Sequence, residues 1–152
     1  MKALQKITAW IQAFPGADTL KSVSIDYTAA APGNGGIMPG GLTELSRQTD
    51  ITGSVVVTNQ YNFTLYFVLA KAADDAEGSM ENAQWLLDFQ EWVQEQSVTG
   101  KAPAFGDDGK RESVKAQNGT LLGTDEEGTA LYSMQLTIQF IKKYREESQW
   151  PT

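Results

Sequence analysis

The stretch from Ser54 to Ala70 constrains the fold more than any other part of the chain. Its odd positions read Val55, Val57, Tyr61, Phe63, Leu65, Phe67 and Leu69, with Asn59 the one exception. Its even positions include Ser54, Thr58, Gln60, Asn62 and Thr64. Successive side chains of a strand point to opposite faces, so this alternation demands a sheet with one face against a core. A run of about 17 residues exceeds the usual strand length. A bend or bulge near Asn59-Gln60 is therefore expected, or a strand that projects beyond its sheet.

The same period recurs where Ala130, Tyr132, Met134, Leu136, Ile138 and Phe140 alternate with Leu131, Ser133, Gln135, Thr137 and Gln139. Weaker strand signals lie at Val23, Ile25 and Tyr27, at Thr43–Thr49, and at Arg111–Asn118 through Val114 and Ala116. Leu121-Leu122 extends the last of these past Asn118-Gly119, a turn or bulge signal. Asp125-Glu126-Glu127-Gly128 reads as a hairpin tip. Ala29–Gly41 carries five glycines and two prolines and reads as a loop. The charged tail from Lys142 is expected to fray.

Two segments change to the helical period. Leu4, Ile7, Ile11 and Phe14 form one stripe beside Trp10, closed by Phe14-Pro15-Gly16, which predicts a helix over Lys2–Ala13. Trp85, Leu86, Phe89, Trp92 and Val93 share one face of a second helix, with Glu81, Gln84, Asp88, Glu91 and Glu95 opposite. Ser79 is its expected N-cap and Gly100 its C-terminal stop. The sum is a single α+β domain over residues 1–152. Two helices pack on one face of a mainly antiparallel sheet of about four to five strands.

Composition excludes several chemistries. The 152 residues contain no cysteine and no histidine. Disulfides, thiolate or imidazole metal sites and Ser–His or Cys–His relays are thereby ruled out. Lys and Arg number 12 against 19 Asp and Glu, a net charge of −7. Residues 71–100 alone carry Lys71 against seven carboxylates, a net −6. Such a surface repels phosphate backbones, so nonspecific nucleic-acid binding is not expected, and specific binding is not expected either. No apolar run approaches a membrane span, and the start of the chain lacks a basic-then-apolar signal layout.

Motif searches find no catalytic set. The glycines at 33–41 have no lysine to meet a phosphate, and Met38 stands where a dinucleotide fingerprint needs its third glycine. Asp74-Asp75, Asp107-Asp108 and Asp125-Glu126-Glu127 are adjacent carboxylates, which usually diverge rather than face one cleft. Trp85, Phe89 and Trp92 sit at the spacing of a core or interface face rather than a ligand cage. No catalytic, metal or cofactor-binding residue is assigned.

Several strings together are distinctive. They are Asn82 through Val93 (NAQWLLDFQEWV), Phe14-Pro15-Gly16, Asp26-Tyr27, Pro32-Gly33-Asn34, Tyr61 through Tyr66 (YNFTLY), Ala102-Pro103 and Phe105-Gly106-Asp107. From Phe14 to Phe140 the chain resembles small minor capsid, or minor structural, proteins of tailed phages and prophages of Firmicutes, of the tail-terminator-like kind. Some members carry the label chloramphenicol resistance protein. Acetyl transfer to that drug relies on a histidine base, and this chain has none.

The resemblance implies a virion structural protein made in the bacterial host's cytoplasm. It implies an α+β sandwich that joins head to tail as a homo-oligomeric ring, commonly a hexamer, against tail tube and head-connector proteins. It implies no enzymatic activity and no cofactor. DNA passes through such a ring without being bound, and an acidic lumen lets it slide. Glu91 and Glu95, or Asp125, Glu126 and Glu127, are the candidate lining. Pro32, Gly33, Asn34 and Gly36 are a candidate subunit-contact loop, and the Ser54–Ala70 arm a second contact. The alternative is a monomeric binding module, such as a head-side connector or tail assembly factor, using the Trp85, Phe89 and Trp92 face.

Overall fold

A computed structural model describes residues 2–20, 22–25, 33–70, 76–124 and 129–145. Helix α1 spans Ala3–Gln12, opened by Gln5 Oε1 accepting the Lys2 N–H at 3.0 Å. Ile7 and Ile11 are fully buried, as the stripe requires. Phe14 leaves the helix in an extended conformation and Pro15 starts a single 3₁₀ turn, Pro15–Thr19. The strands are β1 (Ser22–Ile25), β2 (Asn34–Thr49), β3 (Val55–Leu69), β4 (Ser113–Thr124) and β5 (Ala130–Tyr144). Helix α2, Ala76–Val98, lies between β3 and β4 in the chain.

The strands form one sheet in the order β1-β2-β3-β5-β4. β1 runs parallel to β2, and every other neighbouring pair is antiparallel. The fold is thus α+β, with a mostly antiparallel sheet. The two strands with the strongest alternation, β3 and β5, take central positions, where one whole face can be buried. Phe63, Leu65 and Phe67 stand opposite Leu136, Met134 and Tyr132. These six side chains are all buried, in one core that also takes in α1 and α2. Asn59, the polar exception, is buried too.

On the opposite face the middle of the central strands is polar and uncharged, with Gln60, Asn62 and Thr64 beside Gln135, Thr137 and Gln139. Gln139 Nε2 donates to Gln60 Oε1 at 3.1 Å, and Gln60 Nε2 donates to Asn62 Oδ1 at 2.8 Å. Asn62 Nδ2 in turn donates to Thr43 Oγ1 at 3.0 Å, so one row of amides ties β5, β3 and β2 together.

Four expectations are corrected. Residues 34–41 are strand, not loop: Gly35 and Gly36 pair with Phe67 and Tyr66 on one side and with Val23 and Ser24 on the other. Pairing to two neighbours overrides the weak strand preference of glycine. Pro39 falls just past Ile37, where β1 ends and no ladder hydrogen bond is lost on that side. The irregularity expected in β3 sits in its partner. β3 pairs with β5 without a break from Val55 to Leu69, and the register shifts lie in β2 at Pro39/Leu42 and Glu44/Ser46, the latter opposite Asn59. α2 begins at Ala76, one turn ahead of Ser79. Finally, Lys142, Lys143 and Tyr144 do not fray but pair with Val57, Val56 and Val55.

Other expectations stand. Gly100 adopts φ +73 just past α2. Asn118 takes φ +59 at the register shift between Gln117 and Thr120, so the Asn118-Gly119 signal marks a bulge. The alternative expectation, that β3 projects beyond its sheet, does not hold: β2 and β5 flank residues 55–59 on both sides. The hairpin tip at 125–128, with Asp125, Glu126 and Glu127, lies outside the described residues.

Candidate functional site

The aromatic face of α2 is core. Phe89 has no exposed surface, and its ring lies edge-on to Phe14 at 5.3 Å and Phe67 at 5.4 Å. Trp92 stacks on Trp10 of α1 at 4.9 Å, and Trp85 donates its indole N–H to the Gly16 carbonyl at 3.1 Å. Trp10 likewise donates to Gln96 Oε1 at 3.1 Å. α1 and its following turn therefore occupy the surface that a cage or docking face would need.

The glycine-rich contact loop is not exposed where it is described. Gly33 is buried, adopts φ +89 and donates its N–H to the Val68 carbonyl at 2.9 Å. Asn34 and Gly36 are interior to the sheet, paired with Ser22 and Ser24 in β1, and Gly36 also with Tyr66 in β3. Their backbone edges are taken, so they cannot pair with another subunit. Pro32 lies outside the described residues.

The acidic proposal is visible in part. Glu91 and Glu95 are exposed on the outer side of α2, with Glu81 and Asp88. The helix from Ala76 to Val98 holds five carboxylates and no Lys or Arg. Its solvent side also shows Met80, Leu87 and Val98.

The geometry adds two strand edges that periodicity did not single out. β1 covers β2 only through Ile37, so among the described residues no strand pairs the outer edge of β2 from Met38 to Thr49. Every residue from Pro39 to Thr49 is exposed, including Leu42 at 57% and Leu45 at 45%. Its two charges cancel in an ion pair, Arg47 to Glu44 at 2.7 Å, which raises the arginine's pKa.

β4 forms the other edge. α2 side chains satisfy its first half: Ser97 Oγ accepts the Val114 N–H and Gln90 Nε2 donates to the Ala116 carbonyl, both at 3.0 Å. Its second half, Gln117–Thr124, is exposed at every residue, uncharged, and presents Leu121 and Leu122. Bare strand edges of this kind are templates for pairing with another chain.

The tip of the β2–β3 arm is braced by Asp50. Its Oδ1 accepts from Thr52 Oγ1 at 2.6 Å, from Thr52 N at 2.9 Å and from Ser54 N at 3.0 Å. The Thr52 hydroxyl chiefly holds this carboxyl below its ordinary pKa. A depressed carboxyl pKa stabilises the fold at pH above the unfolded-state value, and the gain is lost as pH falls through the folded value. The protection of the Thr52–Ser54 amides, their exchange measured relative to an unstructured chain at the same pH, is accordingly expected to fall on acidification through that range. Asp50→Asn should remove this change in protection, and protection in the native chain that stays constant with pH would disprove the brace.

Glu112 is a site residue that the sequence reading missed. Its Oε1 accepts from Phe105 N at 2.6 Å and Gly106 N at 3.3 Å, while Oε2 is buried without a hydrogen-bond partner. It borders an open cavity of about 560 Å³ between the end of α2 and the 102–109 loop. One carboxylate fixing two loop amides is a structural role. No sequence pattern announces it, because its partners are backbone groups.

Among the described residues no three His, Cys, Asp or Glu side chains are placed to hold a metal ion, and no helix is long and apolar enough to cross a membrane. No protein-family model matches the chain, and comparison with curated proteins finds no match.

Proposed function

We propose that this chain is a minor structural protein of a tailed phage or prophage, a tail terminator that assembles into a ring at the tail–head junction. It acts by contact with its own copies and with tube and connector proteins, with no bond-making step. One observation carries the reading: a single sheet that, among the described residues, has two unlike open edges, the outer half of β2 and the second half of β4. A ring needs heterologous contacts, which means two different patches on each subunit. An isologous dimer would need only one.

The sequence resemblance from Phe14 to Phe140 supports the same assignment, as does the α+β layer of two helices on a mainly antiparallel sheet. The outer side of α2, with Glu91 and Glu95 and no basic residue, suits a lumen. Like charge leaves passing DNA no ion-paired trap. The protein would then reside in the virion.

Size-exclusion chromatography with light scattering tests the proposal, on the protein alone at rising concentration and with tail tube protein. A closed oligomer of fixed mass is expected in at least one condition. A strict monomer in all of them overturns the ring and favours a monomeric assembly factor.

A further inference from the structure

We infer that the subunits join by edge pairing, the second half of β4 in one copy running antiparallel to the outer half of β2 in the next. The inference rests on the ring reading above and names its contact.

The two edges are complementary in direction. β2 and β5 run one way, β3 and β4 the other. A second copy added beyond β4 in the same orientation presents its β2 antiparallel, the more stable pairing per residue. It also keeps both helices on the same side of the continued sheet.

They are complementary in chemistry. Gln117–Thr124 has no charge, and the Glu44–Arg47 pair leaves the β2 edge neutral. Leu121 and Leu122 on one edge, and Leu42 and Leu45 on the other, are large apolar side chains left in water by the single copy. The usual defence of an edge, a lysine or an inward charge, is missing from the open half of β4.

They are complementary in position. Glu44, the middle of the open β2 edge, stands level with Phe140 through Asn59, while Thr120 stands level with Ser133. The open halves are thus offset by seven residues along β5, at opposite ends of the sheet. β1 covers the other end of β2, so it and the neighbour's β4 fall end to end along β2 rather than competing for it. Seven residues span ~23 Å and the four strand columns of each repeat ~19 Å. Closure then tilts the strands about 50° from the ring axis, close to the 35–45° typical of closed barrels.

The chain has no cysteine, so a bismaleimide reacts only where one is introduced. Leu45→Cys and Leu121→Cys proteins, each checked for native circular dichroism, are mixed in equal amounts and treated with a short bismaleimide. Covalent dimer is expected in the mixture at tenfold or more the yield of either variant alone. Equal dimer from Leu45→Cys alone means that β2 pairs with itself and overturns the inference. A mixture that gives no dimer overturns it as well. Light scattering on the unmodified protein separates the two failures: an oligomer without this cross-link leaves the ring standing on another contact, whereas a monomer without it removes both.

Discussion

Phe89→Ala is expected to destabilise the protein by about 3–5 kcal/mol, the range for removing a buried aromatic ring from a core. Phe89 has no exposed surface and lies within ring-contact distance of Phe14, Phe67, Trp85 and Trp92. Those neighbours belong to three elements that cannot move independently: Trp85 is pinned to Gly16, Trp92 is stacked on Trp10, and Phe67 is fixed in the β3 ladder. Collapse into the vacated space is therefore limited, which places the cost in the upper part of the range. Urea denaturation should show a lower midpoint with little change in slope. Leu87→Ala, on the solvent side of the same helix, should cost under about 1 kcal/mol. Equal shifts for the two variants would show that α2 does not pack by the Phe89 face.

Gly106→Ala has the next largest expected effect. Gly106 has no positive φ to explain it; the constraint is space. A Cβ there would overlap the Ile141 carbonyl oxygen and approach its nitrogen at 2.9 Å and carbonyl carbon at 3.0 Å. Backbone on both sides is tethered. Asp107 N donates to the Ile141 carbonyl at 2.7 Å, Asp107 Oδ2 accepts the Lys143 N–H at 2.7 Å, and Glu112 holds the Phe105 and Gly106 amides. The loop thus takes the edge of β5 that β4 leaves bare beyond Gln139. Overpacking typically costs about 1–3 kcal/mol, and a clash with backbone on a tethered loop falls at the top of that range or above. Thermal melting gives the magnitude, and faster amide exchange at Asp107 and Lys143 would locate it. Unchanged melting and exchange would disprove the close approach.

Legibility from sequence followed the source of each constraint. β3 and β5 were readable because burial on one face imprints period two on their own residues, as at Phe63, Leu65 and Phe67. α2 was readable for the same reason at period 3.6. The first half of β2 was not. Gly35, Gly36 and Pro39 carry no strand signal, and what holds them extended is pairing with Tyr66, Phe67 and β1. Trp85, Phe89 and Trp92 were legible as a core or interface face, but not as which of the two, because the covering residues Trp10 and Phe14 lie about 70 to 80 positions earlier in the chain. The open edges were the least legible feature. An edge is defined by which residues a neighbour pairs, and the described β1–β2 ladder, which covers Asn34 to Ile37, leaves no mark on Leu42 or Leu45.

The place of β5 in the sheet also governs how the molecule is made. It is synthesised after every other described strand yet stands inside the sheet, second from the β4 edge, between β3 and β4. A nascent chain emerging from the ribosome can form α1, the β2–β3 hairpin and α2 early, but β3 lacks half of its ladder until residues 130–144 arrive. For that interval its uncovered side can accept a strand from another polypeptide. Cellular folding assistance is needed most in the seconds before β5 is released, and a stalled or prematurely terminated translation product would be the sticky species.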